Sequence, residues 1–276
     1  MIPDLDRVSA IVREAAAAEV LPRFQALRDQ DVWRKASGEV VSVADVEAER
    51  WLTRRLLDLL PGSMVIGEEA SADRPALLDQ VGREGPVWLI DPVDGTGSFI
   101  AGKPAFAVVV GLLAQGRCLA GWIHDPLADR MAVAAAAEGA WLDGERLRVA
   151  APAPLSEMSG VLHLGCFDKP WRQRIRDRQS RLGRIGNRGC GAHEYMALAA
   201  GRQHFALFSE TMPWDHAAGV LMHREAGGFA ARLDGRAYRP TDHRGGLLLA
   251  PDPASWEALH GFLTQQENAP EGQEAG

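Results

Sequence analysis

In the stretch Trp88-Leu89-Ile90-Asp91-Pro92-Val93-Asp94-Gly95-Thr96-Gly97-Ser98, an apolar run ends in two carboxylates set three residues apart. Asp91 and Asp94 are hard oxygen donors, the kind that suits Mg²⁺. Pro92 fixes one backbone angle between them. Gly95 lets the backbone approach a ligand closely, and the Thr96 hydroxyl can bind a water or a phosphate oxygen. Upstream, Ile66-Gly67-Glu68-Glu69 offers two more acids; downstream, Pro213-Trp214-Asp215-His216 offers another. Together these residues suit metal-assisted hydrolysis of a phosphate ester. Each also has an ordinary structural explanation. Asp-Pro-x-Asp-Gly can be a surface turn, paired glutamates are commonly solvated, and Asp215 can cap a helix that Pro213 opens. What joins them is that two apolar strands each end in acids, and ligands gather at the carboxyl ends of strands in open sheets.

The elements that must position these acids follow from apolar periodicity. Residues 4–29 read as one amphipathic helix, with Leu5, Val8, Ile11, Val12, Ala15 and Ala16 at helical spacing. A hairpin around Ser37-Gly38 pairs residues 32–35 with 39–42. A helix runs from Ala44 to Leu60 and is stopped by Pro61-Gly62. Short strands follow at 63–66 and 87–90. Residues 105–113, 117–124 and 129–136 are close neighbours that pair most simply in antiparallel fashion. After the Ala150–Pro154 break the pattern alternates: strand 161–164, helix 170–182, a strand starting at Arg184-Ile185, helix 192–200, strand 204–208, helix 214–226, strand 246–250 and helix 253–264. Alternation of this kind predicts an α/β sheet with helices on its faces. Residues 1–150 are expected to form an α+β domain carrying most of the metal ligands. Residues 151–264 would form an α/β domain supplying Asp215 and the substrate contacts. Residues 265–276, polar and without period, are expected to be a disordered tail.

Bulk properties narrow the function. The 276 residues are 46% hydrophobic and 24% charged, the make-up of an ordinary globular chain. No run approaches the twenty apolar residues of a membrane span, and the acidic start lacks a signal-peptide pattern, so a cytoplasmic location is expected. The three cysteines fit neither a disulfide framework nor a zinc set and are read as reduced thiols. Residues 151–276 are charge-balanced, so the whole net charge of −7 falls on residues 1–150. Bound Mg²⁺ would offset part of it, and an acidic chain argues against nucleic acid as partner.

Four linked motifs carry a family resemblance. Gly67-Glu68-Glu69, Trp88-x-x-Asp91-Pro-Val-Asp94-Gly-Thr96, Trp214-Asp215-x-Ala-Ala-Gly and Glu225-Ala226-Gly227-Gly228 resemble the inositol monophosphatase family, as does Val41-Ser42-Val43-Ala44-Asp45. Order and separation agree over about residues 5–262. The resemblance implies a layered αβαβα fold, with an antiparallel sheet in the N-terminal half and a mixed sheet in the C-terminal half. It implies a Mg²⁺-dependent, lithium-sensitive phosphatase, often a homodimer, using two or three ions. Glu68, Asp91 and the Val93 carbonyl would hold one ion, and Asp91, Asp94 and Asp215 a second. Thr96 and Asp45 would orient or deprotonate the attacking water, with Glu69 and Lys35 in support. The Gly95 and Thr96 amides would grip the phosphate.

The departures concern substrate choice among inositol, sugar, polyol and histidinol phosphates. Gly97-Ser98 stands where the family has a second Thr and an Asn. Phe208 stands where inositol-specific members carry a glutamate, with Glu210 two residues later as a substitute, so inositol phosphate itself is not the expected substrate. His193 and Glu194 lie where relatives touch substrate. Residues 168–188 are rich in arginine: a solvated helix face, or a place where Arg184 or Arg188 meets a second anionic group. An adenosine 3′,5′-bisphosphate nucleotidase and a non-catalytic metal-binding scaffold are the alternatives.

Overall fold

Helix α1 (Leu5–Ala15) is capped by Asp4, whose side chain accepts from Arg7 N, and it buries Val8, Ile11, Val12 and Ala15. The helix expected over 4–29 does not persist. The backbone widens to a π turn over Ala16–Val20, tightens over Leu21–Arg23, and becomes extended at Phe24. Pro22 lacks the amide that would continue the ladder. The computed structural model describes residues 2–264; the tail expected over 265–276 lies outside the described residues. Next come β1 (Val32–Arg34) and β2 (Val40–Ser42), the expected hairpin, and α2 (Val43–Leu59). Six residues of α3 (Glu68–Asp73) follow β3 (Met64–Gly67), and five of α4 (Thr96–Ile100) follow β4 (Val87–Asp94). Strands β5 (Ala107–Ala114), β6 (Arg117–Asp125), β7 (Arg130–Ala135), β8 (Gly139–Leu142) and β9 (Glu145–Arg146) complete this part.

Strands β3 to β9 form a seven-stranded sheet in sequence order. It is antiparallel as expected except at its edge, where β3 and β4 run parallel. The crossover through α3 returns the chain to the same end of the sheet, which a tight hairpin cannot do. The second sheet uses β10 (Gly160–His163), β11 (Ile185–Gly186), β12 (Phe205–Phe208), β13 (Phe229–Arg232) and β14 (Leu247–Ala250) in the order β11-β10-β12-β14-β13. It is mixed, as expected, with β11, β10 and β12 parallel and the other pairs antiparallel.

Helices α5 (Lys169–Arg178), α6 (Gly191–Ala199), α7 (Pro213–Glu225) and α8 (Pro253–Thr264) complete five layers. Val8, Val12, Ala48 and Leu52 of α1 and α2 cover one face of the large sheet against Trp88, Ile90, Val108 and Trp122. Trp88 and Trp122 pack 6.0 Å apart, fully buried. Rings of that size hide roughly 200 Å², about 5 kcal/mol each at 25 cal/mol per Å². Between the sheets lie α6 and α7, with Tyr195, Leu198, Ala218 and Met222 packed among Val109, Ile123, Ala206 and Leu249. On the far side, Ile175 of α5 and Trp256 and Leu259 of α8 cover Phe205, Leu207 and Leu248. This is the αβαβα order.

Close approach fixes α7. A Cβ on Gly121 would lie 2.8 Å from Ala218, and one on Gly219 would lie 2.2 Å from the Tyr195 ring. The fully buried His223 shares a 2.9 Å hydrogen bond between Nε2 and the Ala250 carbonyl. Among the described residues no helix is long and apolar enough to cross a membrane, and Cys118, Cys166 and Cys190 are free.

Candidate active site

Parallel pairing of β3 and β4 sets Gly67 against Ile90, so the next residues, Glu68 and Asp91, emerge side by side. A bulge between Asp91 and Asp94 inserts one extra residue into β4 relative to β5 and re-aims the second carboxylate. Asp91 Oδ1 accepts from Val93 N at 3.0 Å. Gly95 has φ +88°, and a Cβ there would press on the Ala105 carbonyl at 2.5 Å, so this turn needs glycine. Asp215 arrives from another direction, in the first turn of α7.

Glu68, Asp91 and Asp215 each bring one oxygen to within 4.8 Å of the others. Asp94 stands beside this trio. Its Oδ2 accepts from Cys190 Sγ at 2.9 Å and from Ala192 N at the start of α6. Burial, then the charges of Glu68, Asp94 and Asp215, hold the Asp91 carboxyl far above its ordinary range. Burial followed by Glu68 and Asp94 does the same to Asp215. Burial also raises Glu68, against the pull of Lys35. Lys35 Nζ lies 2.6 Å from Glu68 Oε1 and 2.8 Å from Glu69 Oε1. Burial alone would discharge Lys35, but the two glutamates overrule it and raise its pKa. Burial and the Glu68 charge push Glu69 up to about 8. One lysine cannot balance this many buried acids. An all-oxygen, negatively charged donor set fits a hard divalent cation.

Asp45 closes the other side. Its Oδ2 accepts from Ser42 N at 2.9 Å and Ser42 Oγ at 2.5 Å, which caps α2. Thr96 Oγ1 lies 3.0 Å from Asp45 Oδ1 and 3.0 Å from the Val93 carbonyl, so its single proton serves one of them at a time. Burial raises the Asp45 carboxyl, and the bonds from Ser42 and Thr96 draw it back.

Sequence reasoning missed Glu49. Its buried carboxylate accepts from Glu69 N at 2.7 Å and Ala70 N at 2.8 Å, and so anchors α3 and Glu68 with it. A Cβ on Gly67 would lie 2.2 Å from that carboxylate, which explains the glycine. The available signal was Glu49 four residues after Asp45, on the same face of α2.

A 430 Å³ cavity opens on the acids, with Asp94, His163, Cys166, Glu210 and Asp215 in its wall. Phe208 and His216 are also in the wall, but Phe208 presents little apolar surface. It is stacked between His163 at 5.0 Å and Tyr195 at 5.3 Å and is 5% exposed. Tyr195 Oη in turn bonds His216 Nδ1 at 2.7 Å. Glu210 Oε2 accepts from Cys166 Sγ at 3.1 Å. His193, Glu194 and Arg188 are not in this wall. His193 Nε2 sits 3.2 Å from Asp125, while Glu194 accepts from Arg188 N at 2.5 Å and holds its Nε at 3.4 Å. A larger cavity of 530 Å³, between α7 and the β5–β6 turn, contains no carboxylate.

Known proteins resemble this chain over most of its length. The sequence profile described as the inositol monophosphatase family matches residues 4–271. An inositol-1-monophosphatase of Mesorhizobium japonicum is 33% identical over 216 residues, covering 77% of this chain and 79% of that protein. A fructose-1,6-bisphosphatase/inositol-1-monophosphatase of Thermotoga maritima is 29% identical over 198 residues, 72% of this chain and 73% of that one. Among solved structures, the extragenic suppressor protein suhB of Bartonella henselae superposes with a TM-score of 0.79 at 25% identity, covering 95% of this chain and 98% of that one.

Proposed function

We infer the function from the premise that this chain belongs to the inositol monophosphatase family, and we propose a Mg²⁺-dependent phosphomonoesterase acting on a small-molecule phosphate ester. The observation that carries the proposal is the meeting of Glu68, Asp91 and Asp215 within 4.8 Å, from the start of α3, from β4 and from α7. Those carboxylates, joined by Asp94 and the Val93 carbonyl, would hold two or three ions. Bound ions would neutralise the phosphate, acidify water and stabilise the leaving oxygen.

The protein's own groups supply the rest. Thr96, held by Asp45, orients the attacking water. The water proton passes to Thr96 Oγ1 as the Thr96 proton moves to Asp45 Oδ1. The Gly95 and Thr96 amides receive the phosphate oxygens, and Lys35 with Glu49 and Glu69 keeps Glu68 in place. The ester's organic part lies along the wall of His163, Cys166 and Glu210. Phe208 holds the position of the glutamate expected for inositol, which favours sugar, polyol or histidinol phosphates. The proposal includes a cytoplasmic homodimer, for which sedimentation of the purified protein is the check.

Phosphate release from a panel of esters, with and without Mg²⁺ and then with Li⁺, tests the reading. Expected is Mg²⁺-dependent turnover inhibited by lithium. No release from any ester with Mg²⁺ present would leave the scaffold alternative in its place. Single-turnover hydrolysis in oxygen-18 water is expected to label the phosphate released and not the protein.

A further inference from the structure

Helix α5 packs with α8 on the outer face of the five-stranded sheet. Arg172, Arg176 and Gln179 follow one another at helical spacing, so their side chains share one face of the α5 end. That face lines a 470 Å³ cavity whose opposite wall is Leu162, Leu164 and Ile185. Gly165 and Asn187 line both this cavity and the active-site cavity, so the two adjoin. Neither guanidinium has an ion pair or hydrogen-bond partner among the described residues. Their neighbours differ: Gln173 bonds Asp177, Arg174 stacks on Trp171, and Arg188 is held by Glu194. Arg188, expected from the sequence to meet a second anionic group, is therefore already engaged.

Two like charges four residues apart on a helix repel, and among the described residues no acid is ion-paired to either of them. An anion placed between them would remove the repulsion and take charge-assisted hydrogen bonds from both. The shared Gly165 and Asn187 connect the two cavities, the route along which one molecule would span from Asp94 and Asp215 to this arginine pair. We propose that Arg172 and Arg176 form a subsite for a second anionic group, phosphate or carboxylate, on the substrate whose phosphate ester is cleaved at the acidic cluster. The inference rests on the phosphatase reading above and specifies its substrate class: doubly anionic esters are preferred to singly anionic ones.

The test uses matched pairs. Glucose 1-phosphate and glucose 1,6-bisphosphate form the phosphate arm; glycerol 3-phosphate and 3-phosphoglycerate form the carboxylate arm. In the wild type the second anion is expected to lower KM. The double variant R172A/R176A is expected to raise KM for the doubly anionic member about tenfold or more, the loss of one or two hydrogen bonds to a charged group. KM for its partner should stay within about twofold. R172K/R176K should recover part of the difference, which a folding defect would not. The arm that responds identifies the anion. Equal KM within both pairs, or equal loss on both members, overturns the subsite while leaving the phosphatase standing. Absence of turnover on all four esters overturns the phosphatase reading. In that event calorimetric titration with glucose 1,6-bisphosphate decides the subsite: binding weakened tenfold in R172A/R176A supports it, and unchanged or absent binding sinks it.

Discussion

His223 predicts an acid-sensitive contribution to stability that can be isolated by one substitution. The ring is fully buried on α7, hydrogen-bonded to the Ala250 carbonyl at 2.9 Å. Burial lowers its pKa from the ordinary 6.5 to about 4, with the Ala250 bond opposing and the neighbouring Arg224 charge assisting. Between those values the unfolded chain binds a proton that the folded chain does not, so stability increases with pH in that window. The contribution is complete above about pH 6.5 and is lost as pH falls toward 4. A shift of roughly 2.5 units at 1.36 kcal/mol per unit makes the loss about 3 kcal/mol. Urea unfolding of wild type and His223→Gln, from pH 7 to pH 4 with EDTA present, measures it. Gln keeps an amide donor for Ala250 and cannot titrate. The wild-type curve should fall below that of the variant by about 3 kcal/mol over this range, other groups cancelling in the difference. Parallel curves would refute the reasoning, because they would mean that the ring protonates in place.

Further outcomes are expected elsewhere. Asp91→Asn and Asp215→Asn should each lower kcat by about a hundredfold or more. Without metal both should melt higher than wild type, since each removes a carboxyl whose ionisation is opposed by burial and by its acidic neighbours; a lower melting temperature in EDTA would contradict that account. Thr96→Ala should reduce kcat by about a hundredfold with KM little changed, measured by steady-state phosphate release. Gly219→Ala should lower stability by about 2 kcal/mol, because its methyl would lie 2.2 Å from the Tyr195 ring; chemical denaturation reads this directly. Phe208→Glu should cost about 3 kcal/mol, a fall in melting temperature of roughly 6 to 12 °C, because a carboxylate would replace a ring stacked on both faces.

Much of the fold was legible because its signals are local. The hairpin at Gly38, helix α2, the run β5 to β7 and the alternation after residue 160 all appear at or near the residues that periodicity indicates. The missing parts depend on distant contacts. The parallel β3–β4 pair needs the crossover, which no period in the sequence reveals. Helices α3 and α4 are shorter than two full turns and stand because Glu49 and the Gly95 turn hold their starts. Strands β8, β9 and β13 are four residues or fewer and follow turns, too short to show alternation. At Ala15–Ala18 a run of alanines carries no cue for the π turn that ends α1. At the site, residue type identified the acids. It could not show that Phe208 is covered by His163 and Tyr195, nor that Asp94 is tied to α6, since both facts arise from contacts across the layers.

The parallel edge pair has a consequence for how this chain can diverge. Strands in a sheet stand about 4.8 Å apart, and Glu68 and Asp91 follow paired positions, so the backbone ladder itself acts as their ruler. Residues 74–86 between them can lengthen or shorten without changing that measure. The segment proposed to face the organic part of a ligand, 163–168, follows β10 of the other sheet and can vary without moving that ladder. In the proposed function, chemistry and selectivity thus rest on separate pieces of backbone, and one can be rewritten while the other keeps its gauge.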